Sequence, residues 1–241
     1  MGHYVLLIDT SIFGAAVGVS SYEPSQASGA AAKLLWSSVT PDVQSSAKQL
    51  PLVVDRAFKE LHISSNQVSR IIVARGPGSF TGIRVGIAYA FGFFAGLTAS
   101  DREFVKISGV SSLSLLADHV ARQRQKGVAL FLPSTKTTGF VAYANGVTTG
   151  LEAVDVGKGL ADHFASLDWI VLGSWDSLAD LKRSQWGGTC ENLDPRENAQ
   201  LALQVISDRL GLTDDFPWSN EMPTALYLRK STVEEKADAG G

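Results

Sequence analysis

Residues 76–97 read GPGSFTGIRVGIAYAFGFFAGL, and no other stretch restricts the fold as strongly. Ahead of it, Arg70–Ala74 is a short β-branched and aliphatic run of the kind that forms a buried strand. A glycine-dense turn then leads into a helix ending near Leu97. From Ile83 onward that helix carries one charge, Arg84. Its apolar residues Ile83, Val85, Ile87, Phe91, Phe93, Phe94 and Leu97 point all round the axis, and a helix apolar all round is buried all round. At roughly 16 residues it is short for a membrane span, which needs about 20. The covers are then the chain's own sheet on one side and either a second chain or more of the same core on the other. Gly82 and Gly86, and again Gly92 and Gly96, are four apart, a spacing that lets a second helix approach closely; this use is borrowed from membrane helices.

The turn admits two readings. Glycine-rich strand-to-helix turns can offer backbone N–H groups to a phosphate. Residues 76–82 do not end in Gly-Lys-Ser/Thr, and the glycine spacing is not the dinucleotide fingerprint. A tight corner is the simpler reading.

The rest of the chain alternates in the same α/β manner. Strand patterns fall at Tyr4–Ile8, Phe13–Ser20, Leu34–Val39, Phe104–Ile107, Val128–Leu132, Phe140–Ala144 and Trp169–Leu172. Asn145-Gly146 predicts a two-residue hairpin turn into a strand over Val147–Val154. Helical spacing appears over Asp42–Leu61, where Leu50, Val53, Val54, Ala57, Phe58 and Leu61 form one stripe and Pro51 should bend the helix or mark its start. Further helices are expected from Ser111 or Ser112 to Arg124, over Gly159–Ser166 and over Asn198–Leu210. Strand-rich starts in both halves suggest two similar lobes, 1–107 and 108–228, followed by a polar tail, 229–241, expected to be disordered.

Composition excludes several functions. Lys plus Arg is 21 against 24 Asp plus Glu, a net charge of −3. A protein gripping nucleic acid alone normally has a surplus of cations. The single cysteine, Cys190, permits neither an intrachain disulfide nor a cysteine zinc cluster and suits a reducing compartment. No basic segment precedes a long apolar one, so no signal peptide is expected. The four histidines, His3, His62, His119 and His163, include no His-x-x-x-His pair, so no metal site is expected. There is no Gly-x-Ser-x-Gly elbow. Asp9, closing the first strand with Thr10 and Ser11, is the best polar candidate. It either caps the turn or contacts a nucleotide. Ser134, Thr135 and Lys136 form either a phosphate contact or a solvated loop, and Arg84 is either solvated or an interface charge.

The run Gly76-Pro77-Gly78-Ser79-Phe80-Thr81-Gly82-Ile83-Arg84-Val85-Gly86 resembles the hallmark of the TsaB (YeaZ) family. Leu6-Leu7-Ile8-Asp9-Thr10-Ser11, Leu50-Pro51-Leu52 and Pro223-Thr224-Ala225-Leu226-Tyr227-Leu228-Arg229 are similar to its other motifs. The resemblance implies a two-lobed actin/hexokinase-like fold built from ribonuclease-H-like units. It implies a cytoplasmic, non-catalytic subunit that binds and activates TsaD, the catalytic subunit of tRNA threonylcarbamoyladenosine synthesis, with TsaE joining a larger complex. It further implies a homodimer when alone, contact with tRNA only through the complex, no membrane association and no resident cofactor, with ATP or ADP at the partner interface as an open possibility. The family's contact helices correspond here to Leu50, Val54, Phe80, Gly82, Arg84, Val85, Gly86, Tyr89 and Phe93. Asp9, Thr10 and Ser11 are the candidates for nucleotide contact. Two departures stand out: Ser45 replaces a frequent histidine, and 132–141 lacks the family's acidic residues. Two other functions remain open at this point: an ATPase or small-molecule kinase of the same fold, and an interaction protein that only controls TsaD abundance.

Overall fold

A computed structural model describes residues 4–23, 31–40, 46–135, 138–155, 164, 166–172, 190–212, 216, 218–219 and 221–228. The apolar start forms β1 (Tyr4–Asp9), which turns into β2 (Ala16–Glu23) and β3 (Ala31–Val39). Helix α1 (Ser46–Leu61) and β4 (Val68–Ala74) follow, then α2 (Phe80–Gly96), a short α3 (Ala99–Phe104) and β5 (Lys106–Val110). The first sheet has the order β3-β2-β1-β4-β5. β1 pairs antiparallel with β2 and parallel with β4, β2 pairs antiparallel with β3, and β4 pairs parallel with β5.

The second half repeats this plan. After α4 (Ser112–Arg124) come β6 (Val128–Pro133), β7 (Thr138–Ala144), β8 (Thr149–Asp155), β9 (Asp168–Leu172) and β10 (Cys190–Leu193). Its sheet runs β10-β9-β6-β7-β8. Read from the other edge, β8-β7-β6-β9-β10 has the same order and the same directions as β3-β2-β1-β4-β5. This duplicated mixed sheet is the two-lobed actin/hexokinase-like architecture of ribonuclease-H-like units.

Strand alternation explains the layers. Leu6, Ile8, Ile71 and Val73 face α1 and α2, where they meet Leu50, Val54 and Ala90. Val5, Leu7 and Ile72 point to the other face and pack on Ala199, Leu203, Ile206 and Leu210 of α5 (Pro195–Leu212). In the second sheet Val128, Leu130 and Ile170 meet Leu113, Leu116 and Val120 of α4, joined by Ala202 and Val205 of α5. Helices α4 and α5 thus lie side by side between the two sheets. Ala129, Phe131, Trp169 and Phe164 form a further cluster on the far face.

Late segments of the chain also pack across the expected lobe boundary at 107/108. Helix α5 and the segment 216–228, late in sequence, return to the first sheet: Ser219 bridges to Ile107, and Leu226 N–H donates to the Arg75 carbonyl at 2.6 Å. Other differences are local. Pro51 sits inside α1 rather than starting it. Phe104 belongs to α3, which Thr98 caps by accepting from Asp101 N–H at 3.2 Å, and the strand begins at Lys106. The strand β10 was not expected. Ser111 is the cap of α4, as anticipated, accepting from Ser114 N–H. The hairpin at Asn145-Gly146 is present, with Gly146 at φ 82°, but its loop spans four residues, 145–148, and the strand starts at Thr149 rather than Val147. The expected helix over 159–166 falls mainly, and Ser45, Lys136 and the tail 229–241 entirely, outside the described residues.

Candidate functional site

The glycine turn and the β1 turn are built against each other. Ser79 N–H donates to the Ser11 carbonyl at 2.8 Å. The Ser79 side chain caps α2 by accepting from Gly82 N–H at 3.1 Å. Thr10 Oγ1 donates to the Gly82 carbonyl at 2.6 Å. A Cβ on Gly82 would lie 1.9 Å from the Thr10 carbonyl oxygen, and one on Gly78 would lie 2.1 Å from that of Ser11. Backbone occupies the space that side chains would need, so these glycines allow α2 to dock on the end of β1.

Asp9, Thr10 and Ser11 are each 2% exposed or less. Asp9 Oδ1 accepts from Ser11 N–H at 2.8 Å and from Ser11 Oγ at 2.7 Å, the turn-capping geometry. The hydroxyls of Thr10 and Ser11 are thereby spent inside the chain. Of these three residues' side-chain atoms, Asp9 Oδ2 is buried without a hydrogen-bond partner among the described residues. A phosphate cradle needs donors aimed outward, and this turn aims its donors at Asp9 and Gly82. The three residues do not fit a nucleotide-phosphate grip. Ser134 and Thr135 are exposed in the β6–β7 turn, where both backbone N–H groups donate to the Thr138 carbonyl. Among the described residues no three His, Cys, Asp or Glu side chains converge as a metal site.

The residues expected to meet a partner divide between two sides of α1 and α2. Leu50 and Val54 are 0% and 3% exposed and belong to the chain's own core. Gly82 and Gly86 face β1: a Cβ on Gly86 would lie 2.4 Å from Thr10 Oγ1. These four lie at interior positions of the chain. Their placement follows from helical phase, since each lies on the side of its helix that seals the sheet. Arg84 is exposed, while Phe80, Val85, Tyr89 and Phe93 are half-buried. Phe93 packs edge-on against Phe58 of α1, with ring centroids 5.9 Å apart. Burial, with the Asp55 carboxylate adding to it, raises the Tyr89 phenol above its ordinary range. The Arg84 guanidinium lies 3.9 Å from the centre of the Phe80 ring.

Two further residues carry the outer face. Leu52 on α1 is 67% exposed and Phe91 on α2 is 56% exposed. The signal for Leu52 was its phase: it is a large aliphatic residue off the Leu50, Val53, Val54, Ala57 stripe of an otherwise amphipathic helix. Gly92 and Gly96 open onto empty space. Only the outer pair of the two small-residue spacings is therefore available to another chain. No helix among the described residues is long and apolar enough to cross a membrane.

Comparison with known proteins agrees with this construction. A family model described as "TsaD: tRNA N6-adenosine threonylcarbamoyltransferase" matches residues 39–147. The search of curated proteins gave no match. Two solved structures from Pseudomonas aeruginosa share the fold. One is YeaZ, 20% identical, with a TM-score of 0.61. The other is an uncharacterized protein with similarity to peptidase YeaZ, 19% identical, with a TM-score of 0.63. Each match covers 95% of this chain and 100% of the other. The chain thus shares a TsaD-family match over residues 39–147 and the fold of the two YeaZ-like structures.

Proposed function

We propose that this protein is a non-catalytic subunit of tRNA threonylcarbamoyladenosine synthesis, which binds TsaD and activates it. The observation that carries the reading is the apolar outer side of α1 and α2. Leu52 on α1 and Phe91 on α2 are exposed, and Val85, Tyr89 and Phe93 of α2 are half-buried. Exposed apolar surface of this kind marks an interaction site. The TsaD-family match supports a paralogous TsaD as the partner in this reading, with the same face serving a homodimer when the protein is alone. The glycine turn contributes by fixing α2 on β1. The internal use of the Thr10 and Ser11 hydroxyls supports a subunit without ATP turnover. With a net charge of −3, tRNA is reached through the complex, and TsaE joins there. In this reading the protein works in the cytoplasm.

Reconstituted transfer of the threonylcarbamoyl group to tRNA, by TsaD and TsaE with and without this chain, tests the reading. The expected result is modification that depends on the chain and is lost in the double variant Leu52→Glu, Phe91→Glu. A rate independent of the chain, with only TsaD lifetime altered, would point to abundance control instead. ATP hydrolysis by the chain alone, abolished in Asp9→Ala, would make it an enzyme.

A further inference from the structure

A cleft of about 370 Å³ opens on the first lobe between the end of β3, one side of α1 and the first turn of α5. That volume lies within the range of small-molecule sites. Two guanidinium groups line it. Arg56 Nη2 donates to Ser38 Oγ at 2.6 Å, and Arg196 Nη2 donates to the Val39 carbonyl at 3.2 Å. Both cationic heads are tied to consecutive residues of one strand, although the two arginines are far apart in sequence.

Among the described residues no carboxylate lines this cleft. Glu60 reaches Arg56 Nε only at 3.9 Å, and its other oxygen accepts from Trp36 Nε1. Asp194 is turned to the helix, where its Oδ1 accepts from the backbone N–H groups of Arg196 and Glu197 at 2.7 and 3.3 Å. Arg196 has no ion-pair partner among the described residues. It also sits in the first turn of α5, where the helix dipole disfavours a cation and favours an anion. Each guanidinium carries five N–H donors. The bonds to β3 use one from each. Gln49 adds a side-chain amide to the lining, and Val39, Val53 and Leu52 supply an apolar wall beside the charges.

From this arrangement we propose a binding site for a small organic oxyanion, the phosphate or carboxylate group of a metabolite-sized molecule, held between Arg56 and Arg196. The anion offsets the repulsion between the two cations, and the planar forks suit the paired oxygens of either group. The site is separate from the β1 turn and shares Leu52 with the face proposed to meet TsaD, while its two arginines are not part of that proposal.

Isothermal titration of the full chain with inorganic phosphate, AMP and succinate, at constant ionic strength, tests it. One-to-one saturable binding is expected, weakened at least tenfold by Arg56→Gln and by Arg196→Gln. It should be unchanged in Arg122→Gln, an exposed arginine of α4. Binding of phosphate and AMP alone identifies a phosphate site, and binding of succinate as well identifies a general oxyanion site; either upholds the proposal. Arg56→Lys and Arg196→Lys keep the charge but lose the fork, and intermediate affinity is expected where a Gln variant folds poorly. The proposal is overturned if no ligand saturates by about 10 mM, beyond the millimolar affinity worth roughly 4 kcal/mol. It is equally overturned if the substitutions at 56 and 196 leave affinity unchanged.

Discussion

Arg84 Nε donates a hydrogen bond to Tyr227 Oη at 3.0 Å, joining residues 143 positions apart in sequence. Tyr227 also stacks on Phe80, with ring centroids 4.8 Å apart, while the Arg84 guanidinium covers the other aromatic partner. The Tyr-Leu segment near the C-terminus thus clasps the first turn of α2. Tyr227 is 44% exposed, so solvent competes for the hydrogen bond. Tyr227→Phe should cost about 0.5 kcal/mol, and Tyr227→Ala, which also loses the ring contacts, about 1–2 kcal/mol. Urea unfolding measures both; equal losses would mean that the stacking contributes nothing.

The four helical glycines of α2 should separate into two classes. Gly82→Ala drives a methyl into the Thr10 carbonyl, and Gly86→Ala drives one into Thr10 Oγ1. Overpacking of this kind costs about 1–3 kcal/mol, with Gly82 at the upper end because backbone cannot swing aside. Gly92→Ala meets open space and should stabilise the helix by roughly 0.5–1 kcal/mol. Thermal melts of the three variants decide this. A destabilised Gly92→Ala would show that α2 is covered there in the folded protein.

Association should respond to the opposite side of the same helices. Phe91→Ser and Leu52→Ser remove exposed groups and should change monomer stability by no more than about 0.5 kcal/mol. Self-association, read by sedimentation across a concentration series, should weaken at least tenfold, about 1.4 kcal/mol. Unchanged association in both variants would move the contact off this face.

Acid should loosen the tie between α4 and β10. Arg124 holds Glu191 through two hydrogen bonds of 3.1 and 2.8 Å. The hydrogen bond from Arg124 lowers the Glu191 carboxyl below its ordinary value of 4.5, against the opposing effect of burial. A carboxyl lowered in the folded state stabilises it above about pH 4.5, and that contribution is lost as pH falls through the folded value. The side chains are 32% and 44% exposed, so the contribution is below about 1 kcal/mol. Wild type and Glu191→Gln should therefore differ in urea stability at pH 7 and converge near pH 3. A constant difference across that range would remove the ion pair as its cause.

Much of this protein is legible in its sequence because its elements obey local rules. Continuous apolar runs in Tyr4–Ile8 and Arg70–Ala74 mark strands buried on both faces, and the stripe through Leu50, Val53, Val54 and Ala57 marks the inward side of α1. Ser111 or Ser112 announces its helix as a cap, and Asn145-Gly146 its hairpin. The all-round apolar character of α2 also showed that it needs cover on more than one side. Tertiary structure alone decided which residues face which cover. Gly86 is as small as Gly92, and composition assigns neither; the docking of α2 on Thr10 puts the first inside and leaves the second in solvent. Sequence order likewise suggested a boundary near residue 108, because contiguity is the only guide a linear chain offers. Helix α5 crosses it, since the face of the first sheet carrying Val5, Leu7 and Ile72 needs an apolar cover that the first half of the chain does not provide. The same return of late residues to early ones sets Arg196 beside Arg56 and Tyr227 on Arg84, pairings that depend on long-range packing and leave no mark in local spacing.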